Sequence, residues 1–297
     1  MYNIAVIGAG TMGNGIAHVF AQHGFSVQLT DLNEKQLEKA MSVISKNMDR
    51  QVQKGLLSAE EKANAFLRIQ PEKNLMNGIE GADLIIEAAT ENESVKLQIF
   101  REIDELAAPG SILATNTSSI SITKIASVTS RPGQVIGMHF MNPVPLMKLV
   151  EVINGFNTLP EVTAKIIDIT RQLGKTPCVV NDYPGFIANR ILMPMINEAI
   201  ISLQEGVASV ESIDTIMKLG MANPMGPLQL ADFIGLDVCL AILKVLYEGF
   251  GNPKYAPAGL LVNMVASGNL GVKSGEGFYN YKNGSKELVV SIKFNHL

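Results

Sequence analysis

Tyr2-Asn3-Ile4-Ala5-Val6-Ile7-Gly8-Ala9-Gly10-Thr11-Met12-Gly13 decides the fold. Asn3 to Ile7 is a short apolar run rich in β-branched residues, the pattern of a buried strand. Three glycines follow at the spacing G-x-G-x-x-G. Ile16, Ala17, Val19 and Phe20 then recur at helical spacing, and the pattern stops at Gly24. Ser26 to Thr30 alternates as a second strand and delivers Asp31 at its C-terminal end. Gly8 permits a tight turn, Gly10 lets the backbone approach a pyrophosphate, and Gly13 lets helix and strand pack closely. The turn runs through Thr11 and Met12 into a helix N-terminus, whose N–H groups carry positive partial charge. Asp31 stands where a carboxylate accepts ribose hydroxyls. A lone glycine turn is a weak signal. Strand, helix, second strand and terminal acid in register make it a candidate dinucleotide site. NAD is expected over NADP, because no arginine follows Asp31 before Arg50.

Working outward, residues 33 to 67 read as two helices, the first from about Asn33 to Lys54, the second opened by the capping box Ser58-Ala59-Glu60-Glu61. The pair is too long for a plain crossover and is expected to form a helical arm inserted between strands. The strand–helix alternation resumes with Asp83 to Ala88, Glu93 to Ala107 and Ser111 to Thr115. The last ends in Asn116-Thr117-Ser118-Ser119, a polar cluster at a strand C-terminus, where open α/β sheets bind ligands. Val135 to Phe140 and Leu149 to Ile153 read as strands, Val162 to Leu173 as a helix and Thr176 to Val180 as a strand. The pattern changes near Asp182-Tyr183-Pro184-Gly185. Beyond it come Phe186 to Gln204, Val210 to Leu219, Leu228 to Tyr247 with a break at Gly235, and Ala258 to Ser267. The expected fold class is therefore α/β. A doubly wound, mainly parallel sheet occupies residues 1–183, and an all-helical C-terminal domain occupies residues 184–297. The helical domain has too few residues to bury every apolar face, so pairing in a homodimer is expected there.

Composition narrows the function classes. The 297 residues carry 24 basic and 28 acidic side chains, a net charge of -4, which argues against nucleic-acid and membrane-surface binding. Cys178 and Cys239 lie far apart in apolar sequence and make neither a disulfide framework nor a metal spacing. That usage suits the reducing cytoplasm, and no metal is expected. The first strand begins at residue 3, which leaves no room for a targeting segment, and no apolar run approaches membrane-spanning length.

The chemistry centres on His139 and Glu151. Alternation puts Val135, Gly137 and His139 on one strand face, and Glu151 on a face with Met147, Leu149 and Ile153. A carboxylate among apolar neighbours needs a partner. Met141-Asn142-Pro143-Val144-Pro145 joins the two segments, and its prolines forbid a continuous helix and allow the chain to turn back. A buried His–carboxylate pair is a general base, although a satisfied structural histidine is as common a reading of the spacing alone.

His139-Phe140-Met141-Asn142-Pro143-Val144-Pro145-Leu146-Met147-Lys148-Leu149-Val150-Glu151 resembles the signature of the 3-hydroxyacyl-CoA dehydrogenases, most closely their bacterial 3-hydroxybutyryl-CoA members. The resemblance spans nearly the whole chain. Gly8 to Ala17, Asn116 to Ser119, Pro184 to Arg190, Pro224 to Pro227 and Lys273 to Tyr279 all match. Val272 departs, since relatives often carry a basic residue there. The resemblance implies a Rossmann-like NAD domain and reversible hydride transfer between NAD and a short-chain 3-hydroxyacyl-CoA. His139 would be the acid/base, oriented by Glu151. Ser118 and Asn189 would hydrogen-bond the reacting oxygen or the thioester. Glu91, Lys96 and Asn116 would lie by the cofactor, and Lys54 and Asn47 would contact substrate. Lys46, Arg50 and Lys54 share one helical face, and Lys35 and Lys39 extend roughly the same stripe. Charge alone reads it as an ordinary solvated face, while the match at Lys54 makes it an alternative expectation that Arg50 and Lys54 meet coenzyme A phosphates. Two other readings remain. A 3-hydroxyisobutyrate or 6-phosphogluconate type enzyme would need a lysine on the interdomain helix, and none lies between Lys175 and Lys218. A non-catalytic nucleotide-binding relative would keep the fold alone.

Overall fold

The computed structural model describes residues 2–281 and 288–294. The chain divides into two compact units, residues 1–183 and 184–297. In chain order the first holds β1 (Asn3–Ile7), α1 (Thr11–Gln22), β2 (Ser26–Thr30), α2 (Glu34–Gln53), α3 (Ala59–Leu67), β3 (Ile69–Glu72), α4 (Leu75–Ile79) and β4 (Leu84–Glu87). It continues through α5 (Glu93–Leu106), β5 (Ile112–Thr115), α6 (Ile122–Ala126), β6 (Val135–Phe140), β7 (Leu149–Asn154), α7 (Pro160–Gln172) and β8 (Thr176–Asn181). The eight strands form one sheet in the order β3-β2-β1-β4-β5-β6-β7-β8. Neighbours are parallel except β6 and β7, which run antiparallel. The strand order reverses between β1 and β4, the crevice where open α/β sheets take ligands at strand C-termini.

The central strands are buried on both faces, which is why they read as continuous apolar runs. Ile4, Val6, Leu29, Leu84 and Ile86 enter one core with Ile16 and Phe20 of α1 and Ile44 and Met48 of α2. Each such side chain removed from water contributes about 1.5–3 kcal/mol. The expected inserted pair, α2 and α3, is thus packed on the core by its buried stripe Leu37, Ala40, Ile44 and Met48. It leads into β3, a strand that periodicity misses. Ile69-Gln70-Pro71-Glu72 is short and carries a proline, which a sheet tolerates at its edge. The short helices α4 and α6, five residues each, are also below the length at which an apolar period is visible. Cys178 departs from its apolar reading. It is exposed, because β8 is the other edge strand and shows its residues to solvent, whereas Cys239 is buried.

The second unit holds α8 (Ala188–Gln204), α9 (Val210–Thr215), α10 (Pro227–Ile234), α11 (Leu236–Phe250), α12 (Gly259–Ala266) and an antiparallel pair of short strands, β9 (Tyr279–Asn280) and β10 (Val289–Val290). Gly235 divides α10 from α11 with φ of +102°, a conformation that side chains other than glycine rarely adopt. Met193, Ile196, Ile200, Leu228, Leu243 and Leu261 share its core. Two buried acids tie the helices down. Asp214 accepts from the N–H groups of Leu228 and Gln229 at the start of α10, at 2.8 and 2.9 Å, and from the Tyr279 hydroxyl at 2.8 Å. Asp232, on α10, accepts from the N–H groups of Phe278 and Tyr279 and from the Tyr281 hydroxyl, at 3.1, 2.9 and 3.1 Å.

Candidate active site

The glycine turn between β1 and α1 has no room for side chains where it bends. Gly8 takes φ of +97°, and a Cβ there would meet the Ala89 backbone at 2.6 Å. A Cβ on Gly13 would overlap the Gly8 carbonyl, while the space beside Gly10 is open. Gly10 caps α1 and offers no side chain, so the first-turn N–H groups of Thr11 to Gly13 suit an anionic ligand. Asp31 is held just past β2. Its Oδ2 accepts from Ala9 N and its Oδ1 from Asn33 N, both at 2.9 Å. Gln36, which no motif or spacing singles out, donates its Nε2 to the Ala9 carbonyl at 2.8 Å and ties α2 to the turn. These residues suit a dinucleotide: cramped glycines, an exposed helix terminus and an oriented carboxylate.

His139 and Glu151 meet because β6 and β7 are antiparallel and pair those two residues directly. His139 Nδ1 lies 2.8 Å from Glu151 Oε2, and the two side chains are 12% and 4% exposed. With Nδ1–H donating to the carboxylate, Nε2 is the atom suited to move a proton. Met147 falls outside β7 and is exposed, so the alternation that groups it with Glu151 does not extend to it. Its backbone belongs to a turn in which Leu146 N and Met147 N both donate to the Pro143 carbonyl at 3.0 Å. Asn116 Oδ1 accepts from Phe140 N at 2.9 Å, linking the end of β5 to the end of β6 beside His139.

Glu91 gathers the loop that carries Ser118. Its Oε1 accepts from Thr117 Oγ1 at 2.6 Å, Ser118 N at 2.8 Å, Ser118 Oγ at 3.0 Å, Ser119 N at 3.1 Å and Ser119 Oγ at 3.0 Å. Burial works to raise its pKa. The Lys96 charge and the donors from Thr117 and Ser118 outweigh it and hold the carboxyl below its ordinary range. Asn92, the next residue, takes the cap of α5, accepting from Val95 N. Lys96 is 2% exposed. Its Nζ donates to both oxygens of fully buried Glu87, at 2.8 and 2.7 Å, and lies 3.6 Å from Glu91 Oε2. Thr115 Oγ1 and Ala89 N, each at 2.8 Å, complete the Glu87 carboxylate. Glu87 is the residue that sequence reasoning missed. Its place in Leu84-Ile85-Ile86-Glu87, a carboxylate closing a buried apolar strand, was the available signal.

The fold thus brings His139, Glu151, Asn116, Ser118, Glu91 and Lys96 to the C-terminal ends of β4, β5 and β6. Asn189, 9% exposed, stands in the first turn of α8, in the second unit. On α2, Asn47 lines a cleft of about 270 Å³ together with Lys39, Asn14 of α1, and Asn142, Val144 and Pro145. The face of α2 that meets this cleft runs Gln36, Lys39, Val43, Asn47, whereas Arg50 and Lys54 are exposed at its far end. Arg50 reaches Asn47 Oδ1 at 3.4 Å.

Comparison with known proteins identifies the two units. The profile described as "3-hydroxyacyl-CoA dehydrogenase, NAD binding domain" matches residues 3–183, and the corresponding C-terminal domain profile matches residues 185–281. The probable 3-hydroxybutyryl-CoA dehydrogenase of Deinococcus radiodurans is 52% identical over 276 residues, covering 93% of this chain and 99% of that one. The 3-hydroxybutyryl-CoA dehydrogenase of Bradyrhizobium diazoefficiens is 51% identical over 279 residues, covering 94% and 95%. The crystal structure of (S)-3-hydroxybutyryl-CoA dehydrogenase from Ralstonia eutropha superposes with a TM-score of 0.93 at 47% identity, covering 95% of this chain and 100% of that one.

Proposed function

The chain belongs to the 3-hydroxyacyl-CoA dehydrogenase family, and we propose that His139 and Glu151 are the acid/base machinery of its NAD-dependent oxidoreductase reaction. The substrate pair is a 3-hydroxyacyl-CoA and its 3-keto partner, taken here as 3-hydroxybutyryl-CoA, the substrate in the names of the similar proteins, and acetoacetyl-CoA. Gly8, Gly10, Thr11, Met12, Gly13 and Asp31 would hold NAD. When bound, NAD supplies the hydride acceptor, or in reverse the donor. His139 takes the 3-hydroxyl proton on Nε2, or returns it to the 3-keto oxygen. Glu151 holds the ring through Nδ1 and stabilises the imidazolium that forms. Ser118 orients the reacting oxygen from a loop that Glu91 fixes, and Asn189 serves the same substrate group. Asn47 in the cleft, with Arg50 and Lys54 beyond it, meets the coenzyme A portion. The observation that carries this reading is the His139 Nδ1–Glu151 Oε2 hydrogen bond of 2.8 Å across paired strands.

Two copies would pair through the helical unit, which shows Ile191, Val207, Leu219 and Phe233 to solvent. No helix among the described residues is long and apolar enough to cross a membrane. Action in the cytoplasm accords with the unpaired cysteines. The test is the oxidation of NADH by acetoacetyl-CoA, followed at 340 nm. Wild type is expected to turn over, and His139→Gln is expected to lose activity by orders of magnitude while still binding NADH. Substantial turnover by His139→Gln would remove the proposed base.

A further inference from the structure

Lys175 opens the stretch into β8 and is 8% exposed. Its ammonium donates to two carbonyl oxygens, Val144 O and Met147 O, each at 2.6 Å. Burial lowers its pKa. A desolvated ammonium is costly unless its donors are satisfied, and backbone carbonyls are what satisfy it here. Both carbonyls lie in the connection that leaves β6 two residues after His139 and enters β7 two residues before Glu151.

That connection does two things. It returns the chain so that His139 faces Glu151 in register. It also supplies one wall of the cleft, through Asn142, Pro143, Val144 and Pro145. Val144 is buried against Gly15 of α1, where a Cβ would come within 2.9 Å of the Val144 side chain. The wall therefore stands directly on the helix that follows the glycine turn. Thr176 N, next to Lys175, donates to the Lys148 carbonyl at 2.7 Å and pins the other end of the same segment.

We propose that Lys175 is a positioning residue for the dehydrogenase reaction. By clamping the Val144 and Met147 carbonyls, it fixes the 141–148 connection, and through it the acyl-CoA wall of the cleft and the hand-over from His139 to Glu151. The proposal rests on the reading of that pair as the acid/base. Lys175→Met tests it, since methionine keeps an unbranched apolar stem and removes the ammonium. Hydrogen exchange of peptides covering residues 141–148 is expected to quicken at least tenfold, with the strands β1 and β2 unchanged. KM for acetoacetyl-CoA is expected to rise about fivefold to twentyfold with KM for NADH within twofold. Lys175→Arg, which keeps a cation and donors, should fall between wild type and Lys175→Met in both readouts, and it stands in if Lys175→Met does not fold. Unchanged exchange at 141–148 would overturn the clamp. So would equal rises in both KM values, or exchange that quickens throughout the unit. The exchange arm needs no substrate. Faster local exchange in an enzyme that ignores acetoacetyl-CoA would unseat the activity reading and the positioning role with it, leaving a bare structural tether.

Discussion

Buried acids are handled differently in the two units. In the sheet unit the buried acids meet basic side chains: Glu87 meets Lys96, which also faces the partly exposed Glu91, and Glu151 meets His139. In the helical unit Asp214 and Asp232 are solvated by backbone N–H groups and tyrosine hydroxyls. The consequence is a difference in the direction of their pKa shifts. Lys96 and the loop donors keep Glu91 below its ordinary range against its burial. Burial, joined by the charge of Asp214, pushes Asp232 up to about 6 against its own hydrogen bonds. Neutral dipoles make a good structural staple for a carboxylate, but a charged partner is what keeps one ionised and oriented for chemistry.

The largest expected effect sharpens that contrast at the reactive pair. Glu151→Gln keeps a hydrogen-bond acceptor for His139 Nδ1 but removes the counter-charge. Turnover of acetoacetyl-CoA should fall about 10²- to 10⁴-fold, with the dissociation constant for NADH, read by fluorescence, changed less than about twofold. A loss of only a few-fold would place the sheet unit's pair on the same footing as the helical unit's staples.

Next comes Lys96→Met. It leaves Glu87, which is fully buried, with a charge and no cation. Breaking one side of a buried pair costs about 3–5 kcal/mol, measurable as a lowered urea midpoint at neutral pH. Glu87→Gln in the same protein should recover much of the loss. If the single variant is as stable as wild type, the pairing is dispensable there.

The helical unit predicts a smaller effect with a definite pH window. The folded pKa of Asp232 lies above its unfolded value of 3.8, so the native state keeps a proton that the unfolded chain gives up. The stability from this group is complete below that unfolded value and is lost as pH rises through about 6. About 1–3 kcal/mol is at stake. Asp232→Asn, followed by denaturant titration at successive pH values, should flatten that part of the profile. A profile indistinguishable from wild type would mean that another group sets the slope.

Glu91 gives the smallest effect and the opposite sign. Its folded pKa is depressed, so its contribution is present above the unfolded value of 4.5 and lost as pH falls through the folded one. Its side chain is 40% exposed, which screens the interaction. Glu91→Gln should lower the melting temperature by a few degrees near pH 7, with the gap closing under acid. A gap that widens on acidification would reverse the assignment.

Much of the first unit was legible from residue order. Gly8, Gly10, Gly13 and Asp31 are local chemistry: a turn, a helix end and a strand end, each specified by residues within a few positions. The buried strands declared themselves because two covered faces demand continuous apolar runs. The capping box at Ser58 and the break at Gly235 are local for the same reason. β3 was hidden because four residues with a proline have no period, and its pairing partner lies some 40 residues earlier in the chain. The stripe of α2 that faces the cleft was also hidden. Helical spacing groups Lys46, Arg50 and Lys54 as readily as Lys39, Val43 and Asn47, and only packing against α1 decides which group turns inward.

Residue order alone specifies the doubly wound sheet, the glycine turn with its acid, and His139 and Glu151 as the pair to watch. Packing in three dimensions was needed to run β7 antiparallel to β6 and so to set those two side chains 2.8 Å apart. It alone decided that Lys96 sinks onto Glu87, that one oxygen of Glu91 gathers residues 117 to 119, and that Lys175 clamps two carbonyls 28 and 31 residues away in sequence. The physical reason is range. Turn, cap and strand preferences act over a few residues and leave a periodic trace. A buried charge is settled by whichever donor or acceptor the fold delivers to it, and nothing in its own neighbourhood of the chain records which one that is.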